Sequence, residues 1–125
     1  MQRRHLVQLA ATTLAAPLLD TAHAQTFPVK PIKLVIAFPA GGPTDITMRA
    51  LADAAGKILG QPVVVENKPG AGGTMPAQQL QTAAADGYTV AQIPLGVFRL
   101  PYTTKMGWDP IKDISYVINV TGYAF

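Results

Sequence analysis

The sequence contains no cysteine, and its two histidines, His5 and His23, both lie within the first 24 residues. Protein sites for zinc and copper are built mainly from imidazole and thiolate ligands, so the remainder of the chain is poorly equipped to hold either metal. Catalysis by a serine or cysteine paired with histidine is excluded there for the same reason. Beyond residue 24, binding chemistry therefore depends mainly on the backbone donors.

Charged residues are also scarce, at 14% of the sequence, and the formal net charge is +3. Beyond residue 24, eight lysines and arginines against six acidic residues leave a net charge of +2, spread along the chain. Nucleic-acid binding needs a basic stripe, usually with aromatic residues between the charges, so we expect no nucleic-acid partner. The 125 residues, 49% of them apolar, suffice for one small domain with a hydrophobic core but not for two.

Residues 1–24 have the pattern of a secretory signal peptide. Arg3 and Arg4 precede an apolar stretch over residues 6–19, and Ala22-His23-Ala24 provides the small residues that signal peptidase accepts. We therefore predict cleavage after Ala24 and a periplasmic protein. A membrane anchor is the alternative, but the stretch is shorter than the roughly 20 residues that a span needs. The two arginines also allow export by the twin-arginine route.

The next part of the chain alternates between strand-like and helix-like runs. Short apolar runs predict strands over residues 32–38, 63–66 and 88–93. Apolar residues at helical spacing (Ile46, Leu51, Ala54, Ala55, Ile58 and Leu59) predict a helix that is capped by Thr44 or Asp45 and that stops at Gly60. A second helix is predicted from Thr74 to the alanines at 83–85. The order β-α-β-α-β predicts an α/β fold with a parallel sheet.

Two glycine-rich turns connect these strands to these helices, at residues 38–45 and 67–74. In a parallel sheet both turns lie at the same edge, where α/β proteins bind anions and small ligands. Glycine permits positive φ angles, which can direct successive backbone N–H groups at one point. The pair of turns therefore predicts a ligand site, and an acidic ligand.

Nucleotide-binding motifs do not fit these turns. A G-x-G-x-x-G motif would need glycine where Met75 stands, and no G-x-x-x-x-G-K-[ST] motif occurs. A carboxylate is therefore a better candidate ligand than the phosphates of a nucleotide.

Several side chains near the turns allow both a structural and a functional interpretation. Asp45 either stabilises the first turn of its helix, or orients the loop or accepts a hydrogen bond from a ligand. Asn67 either closes an Asx-turn or contacts the ligand. Arg49 has the spacing for an i,i+4 ion pair with Asp45, and Arg99 is either a solvated surface residue or a partner for a carboxylate. Trp108 and Tyr88 are predicted core residues.

The end of the sequence is unusual, because it stops within apolar residues. A fourth strand is predicted over residues 114–120, and Tyr123, Ala124 and Phe125 follow it without a turn or a cap. Natural C-termini usually end in polar residues, so we interpret the chain as a truncated form of a larger architecture. A small domain that ends on an edge strand is the alternative.

These segments together resemble the periplasmic solute receptors of tripartite tricarboxylate transporters, the Bug receptors. The resemblance covers nearly all of the sequence after the leader. It is carried by residues 31–35, 38–42, 44–45, 60–73, 86–89, 109–110 and 112–113.

The resemblance implies a type II-like, two-lobed receptor that closes over a small organic ligand, commonly a carboxylate. It implies no catalytic activity and no cofactor, and delivery of the ligand to a membrane permease or a sensory role. Residues 25–100 would be the first part of lobe 1 and residues 101–125 the crossing into lobe 2, so the lobe is incomplete. The ligand contacts carried over by position are Ala40, Gly41, Gly42, Pro43, Thr44 and Asp45 in the first turn, and Asn67, Gly70, Ala71, Gly72, Gly73 and Thr74 in the second.

The sequence departs from the family pattern in three places. Pro43 replaces a usual glycine and removes one N–H donor, and Met75-Pro76 replaces a more typical isoleucine-glycine pair. Residues 94–98 lack the hydroxyl groups of many members, so we expect a more apolar wall at the far end of the ligand.

Two other interpretations stay open. The chain could be a non-functional remnant of such a receptor, exported but unable to close on a ligand. It could also be a small α/β enzyme with a backbone oxyanion hole, in which Asp45 or Lys68 would have to act as the base.

Overall fold

The computed structural model describes residues 26–120. The elements are β1 (Ile32–Ile36), α1 (Pro43–Leu59), β2 (Val63–Asn67), α2 (Met75–Thr82) and β3 (Thr89–Ala91), with 3-10 segments at Ala71–Gly73 and Leu95–Tyr102. The predicted order β-α-β-α-β is confirmed. The predicted signal peptide, its cleavage site and the apolar residues 123–125 lie outside the described residues.

The three strands form a parallel sheet in the order β2-β1-β3. The chain passes from β1 outward to β2 and then crosses back to the other side of β1, as at the start of a doubly wound sheet. The central strand β1 carries the core, with Val35 and Ile36 fully buried. The rest of the apolar core is Ile32, Ala37, Met48, Ala52, Ala77 and Val97.

Helix α1 ends as predicted, but begins earlier. Gly60 adopts φ 68° and its N–H donates to the carbonyl of Gly56, which closes the helix. The residue that precedes the helix is Gly42, followed by Pro43. The prediction that Thr44 or Asp45 caps the helix was therefore wrong, because the fixed φ of proline suits the first helical position and places the cap at Gly42.

Much of the apolar pattern of α1 does not face the core. The buried residues of the helix are Asp45, Met48 and Ala52, whereas the side chain of Ile58 is 85% exposed. Ile46, Leu51 and Leu59 are also exposed. The pattern predicted the helix correctly, but it includes a second apolar stripe that the described residues leave uncovered.

Three other predictions were too long, since β1 ends at Ile36 and not at residue 38, and one was wrong. Helix α2 ends at Thr82 because Ala83 is extended, and β3 is limited to residues 89–91. In the described part of the chain, the fourth predicted strand is not formed at residues 114–120. Val117 and Ile118 are exposed there. Apolar residues favour the extended conformation, but a strand also requires a neighbouring strand to accept its hydrogen bonds.

Trp108 and Tyr88, the predicted core residues, are half-buried. Within residues 26–120, none of the helices has the length and apolar character needed to cross a membrane. The predicted division into residues 25–100 and 101–125 stays a prediction.

Candidate functional site

The two glycine turns lie side by side at the carboxyl ends of β1 and β2. These strands are parallel neighbours, with Ile36 paired to Asn67 at their ends. The N–H of Lys68 donates to the carbonyl of Ile36 at 2.8 Å, which ties the beginning of the second turn to the end of β1. The expected common edge is therefore present.

A ring of three side chains connects the two turns. Asp45, which is 3% exposed, accepts hydrogen bonds from the N–H of Gly41 (2.8 Å) and from Nε of Arg49 (3.0 Å). Its other oxygen accepts from Nδ2 of Asn67 at 2.8 Å. Arg49 Nη2 in turn donates to Oδ1 of Asn67 at 2.9 Å, and Nδ2 of Asn67 also donates to the carbonyl of Phe38 at 3.0 Å. The ring fixes the first turn against the second.

The electrostatics of this ring explain why a carboxylate is stable there. The hydrogen bond from Arg49 lowers the pKa of Asp45 far below its usual range, and those from Gly41 and Asn67 lower it further. The same contact raises the pKa of Arg49. Since both carboxylate oxygens already accept donors from the chain, the geometry favours Asp45 as the residue that orients the loop.

Sequence reasoning missed half of this arrangement. It predicted the i,i+4 pair of Arg49 with Asp45, which the structure confirms at 3.0 Å. The second bond of Arg49, to Asn67, joins residues 18 positions apart. The recorded bonds of the Asn67 side chain therefore connect its turn to α1 and to the first turn.

The second turn contains a run of positive φ angles. Gly70, Gly72 and Gly73 adopt φ 124°, 65° and 88°, and Ala71 adopts φ 46°. The N–H groups of Gly73 and Thr74 donate back to the carbonyls of Gly70 and Ala71. Those of Gly70, Ala71 and Gly72 have no recorded acceptor within residues 26–120, so they are available as backbone donors.

Thr74 occupies the position before α2, as predicted, but its hydroxyl does not cap that helix. Its Oγ1 donates to the carbonyl of Ala71 at 2.9 Å. The side chain is nearly buried, and it closes the second turn on itself.

The first turn also offers backbone donors. The first hydrogen bond of α1 runs from the N–H of Ile46 to the carbonyl of Gly42. Pro43 has no N–H. The N–H groups of Thr44 and Asp45 come before this bond in the helix, so they have no acceptor within α1. The N–H groups of Gly41 and Gly42 are directed to Asp45 and to the carbonyl of Pro39. Ala40 is exposed at the tip of this turn.

The left-handed Ala71 leads to a stability prediction. Alanine in this region costs roughly 1–2 kcal/mol, whereas glycine costs nothing there but loses more entropy on folding. We expect Ala71→Gly to raise the free energy of unfolding by about 0.5 kcal/mol. Ala50→Gly, on the exposed face of α1, is the control and should lower it by about 1 kcal/mol. Urea denaturation of both variants measures the difference, and a destabilised Ala71→Gly would contradict the strained backbone.

The structure does not favour the bases that the enzyme interpretation requires. A general base works best with a pKa near the operating pH, whereas the pKa of Asp45 lies far below it. Lys68 Nζ lies 3.2 Å from Glu66, which also pairs with Lys33 at 3.2 Å. These two lysines lower the pKa of Glu66. Asp45 is therefore held ionised by its partners, and Lys68 is engaged in an ion pair with Glu66.

Arg99 lies exposed on the 3-10 segment Leu95–Tyr102, next to the buried Val97. Within residues 26–120 there is no group of three or more histidine, cysteine, aspartate or glutamate residues that could hold a metal ion.

A parallel sheet with two glycine turns at one edge, joined by the hydrogen bonds of Asp45, Arg49 and Asn67, is typical of part of an α/β ligand-binding lobe. Residues 47–125 match the family model described as the tripartite tricarboxylate transporter family receptor, TctC. The chain belongs to this receptor family.

Named relatives show how much of such a receptor the chain represents. It is 58% identical over 131 residues to the "UPF0065 protein in gbd 5'region" of Cupriavidus necator, covering all of this chain and 40% of that protein. It is 44% identical over 118 residues to the protein BugT of Bordetella pertussis, covering 90% of this chain and 35% of BugT. The chain thus spans less than half the length of the curated relatives it matches.

Solved structures give the same fold. MatC from Rhodopseudomonas palustris, solved with bound malate, has a TM-score of 0.63 and 39% identity, covering 70% of this chain and 30% of MatC. The structure thus corresponds to part of a periplasmic binding protein of this family.

Proposed function

We propose that the chain supplies the carboxylate-binding turns of an extracytoplasmic solute receptor. The observation that carries the proposal is the ring of Asp45, Arg49 and Asn67, which holds two N–H-bearing turns side by side. MatC is similar over 70% of this chain and was solved with malate, a small carboxylate. In this proposal the contacts are the residues of the two turns, 40–45 and 67–74.

The receptor would act without catalysis, metal or cofactor. It would deliver a small organic carboxylate to a membrane permease or to a sensor, as the family resemblance implies. Because the chain covers 40% of its Cupriavidus relative, we propose that it forms one part of the cleft.

Calorimetric titration of the exported chain with mono-, di- and tricarboxylates tests the proposal. Saturable binding without turnover is the expected result, and we expect Asn67→Ala to abolish it by separating the turns. Formation of a product would contradict a receptor. Absence of binding by a folded chain would contradict the carboxylate site and favour the non-functional remnant.

Export leads to a further prediction. When the full sequence is produced in a Gram-negative host, we expect periplasmic protein whose N-terminus is Gln25, because signal peptidase accepts Ala22-His23-Ala24. Intact-mass measurement and N-terminal sequencing determine the cleavage site. Ala24→Leu should prevent cleavage, and an unprocessed wild-type protein in the membrane fraction would support the anchor interpretation instead.

A further inference from the structure

A groove of about 490 Å³ lies between the second glycine turn and residues 100–108. The residues that line it include Ala71, Gly72 and Thr74 on the side of the second turn, and Leu100, Met106 and Trp108 from the later segment. Its volume is within the range of small-molecule sites. We propose that this groove holds the body of the ligand, and that the ligand is an organic anion with one carboxylate and an apolar, ring-sized body. The proposal rests on the proposed function and narrows its ligand class.

The backbone side of the groove can accept a single carboxylate. The N–H groups of Ala71 and Gly72 have no recorded acceptor within residues 26–120, and both residues line the groove. The Thr74 hydroxyl is directed away, to the carbonyl of Ala71. The groove thus offers two adjacent backbone donors to one carboxylate.

The charges of the groove also fit one carboxylate better than three. Among the described residues that line it, Lys105 is the one cation and no acidic side chain occurs. The other polar side chains of the groove, Thr74, Gln78 and Thr104, are neutral. A second or third carboxylate would therefore lose hydration without a further cation to pair with, which disfavours its binding.

The later segment fits an apolar or aromatic body. Trp108 is half-buried and offers an indole ring for stacking. Met106 is also half-buried, and its unbranched thioether adapts to irregular shapes and makes favourable contacts with aromatic rings. Together with Leu100, these side chains would bury the ring of a ligand whose carboxylate lies at Ala71 and Gly72.

Titration of the exported chain with phenylacetate, malate and citrate at constant ionic strength tests the proposal. We expect phenylacetate to bind at least tenfold more tightly than citrate. Trp108→Leu should weaken phenylacetate binding about fivefold and leave malate binding nearly unchanged. Tyr102→Leu is its control, since Tyr102 is 84% exposed on the neighbouring 3-10 segment and does not line the groove.

Lys105→Gln should weaken the binding of phenylacetate, whereas Lys112→Gln, at an exposed lysine outside the groove, should not. Tighter binding of citrate or malate than of phenylacetate would overturn the ligand class and leave the proposed function standing. Phenylacetate binding that neither Trp108→Leu nor Lys105→Gln weakens would overturn the placement in the groove. If a folded chain bound none of the three acids, the proposed function and the groove proposal would both fail.

Discussion

Replacing Gly73 by alanine is expected to lower the free energy of unfolding by about 3 kcal/mol, the sum of backbone strain and a steric clash. Gly73 adopts φ 88°, a conformation that L-residues rarely adopt. A Cβ atom there would lie 2.9 Å from Cγ of Pro94, so the turn or the proline would have to move. For a domain of this size, the loss corresponds to more than 10 °C in Tm, on the order of 4–8 °C per kcal/mol.

Gly72→Ala separates the two causes. Gly72 also has a positive φ, of 65°, but an added Cβ would meet nothing within 4 Å. We expect this variant to lose roughly 1–2 kcal/mol, from strain alone. In a Pro94→Ala background the extra loss of Gly73→Ala should largely disappear, which a double-mutant cycle by urea denaturation measures. Equal losses for both glycine variants would contradict the close packing of the second turn against Pro94.

Local signals predicted most of the fold, and contacts distant in sequence explain where prediction failed. The end of α1 at Gly60 was predictable, because a left-handed glycine closes a helix by itself. The alanines at 83–85 favour a helix, yet the chain must turn there towards β3, where Asp86 accepts from Lys30 at 2.9 Å. Residues 114–120 have a strand-like pattern, but a pattern cannot provide the neighbouring strand.

In the candidate site, too, features set by local sequence were predictable and contacts between distant residues were not. The positions of both turns were predictable, because a glycine-rich sequence between a strand and a helix determines them locally. The bond between Arg49 and Asn67 was not, since these residues become neighbours only when α1 packs beside β2. The same holds for the groove, because Trp108 and Gly72 both line it although they lie far apart in sequence and outside any periodic segment.

Replacing Asp45 by asparagine is expected to lower the Tm at pH 7 by several degrees and to make stability less dependent on pH. The pKa of Asp45 is lowered in the folded chain, most of all by Arg49, from an ordinary value of 3.8. A lowered pKa contributes stability above the unfolded value, and this stability is lost as the pH falls towards the folded value. Thermal unfolding between pH 7 and pH 2 should therefore show a steep decline for the wild type that begins near pH 5, and a shallower one for Asp45→Asn.

Asp53→Asn is the matched control for this experiment. Asp53 forms an i,i+4 pair with Lys57 on the same helix at 2.7 Å, but both side chains are exposed, so we expect little change in Tm. Glu66, Asp86 and Asp109 also have lowered pKa values, so some acid sensitivity should persist in both variants. An Asp45→Asn chain with the same pH slope as the wild type would show that the ring does not hold the carboxylate ionised. Without an ionised Asp45, Arg49 and Asn67 would lose the acceptor through which they fix one glycine turn against the other.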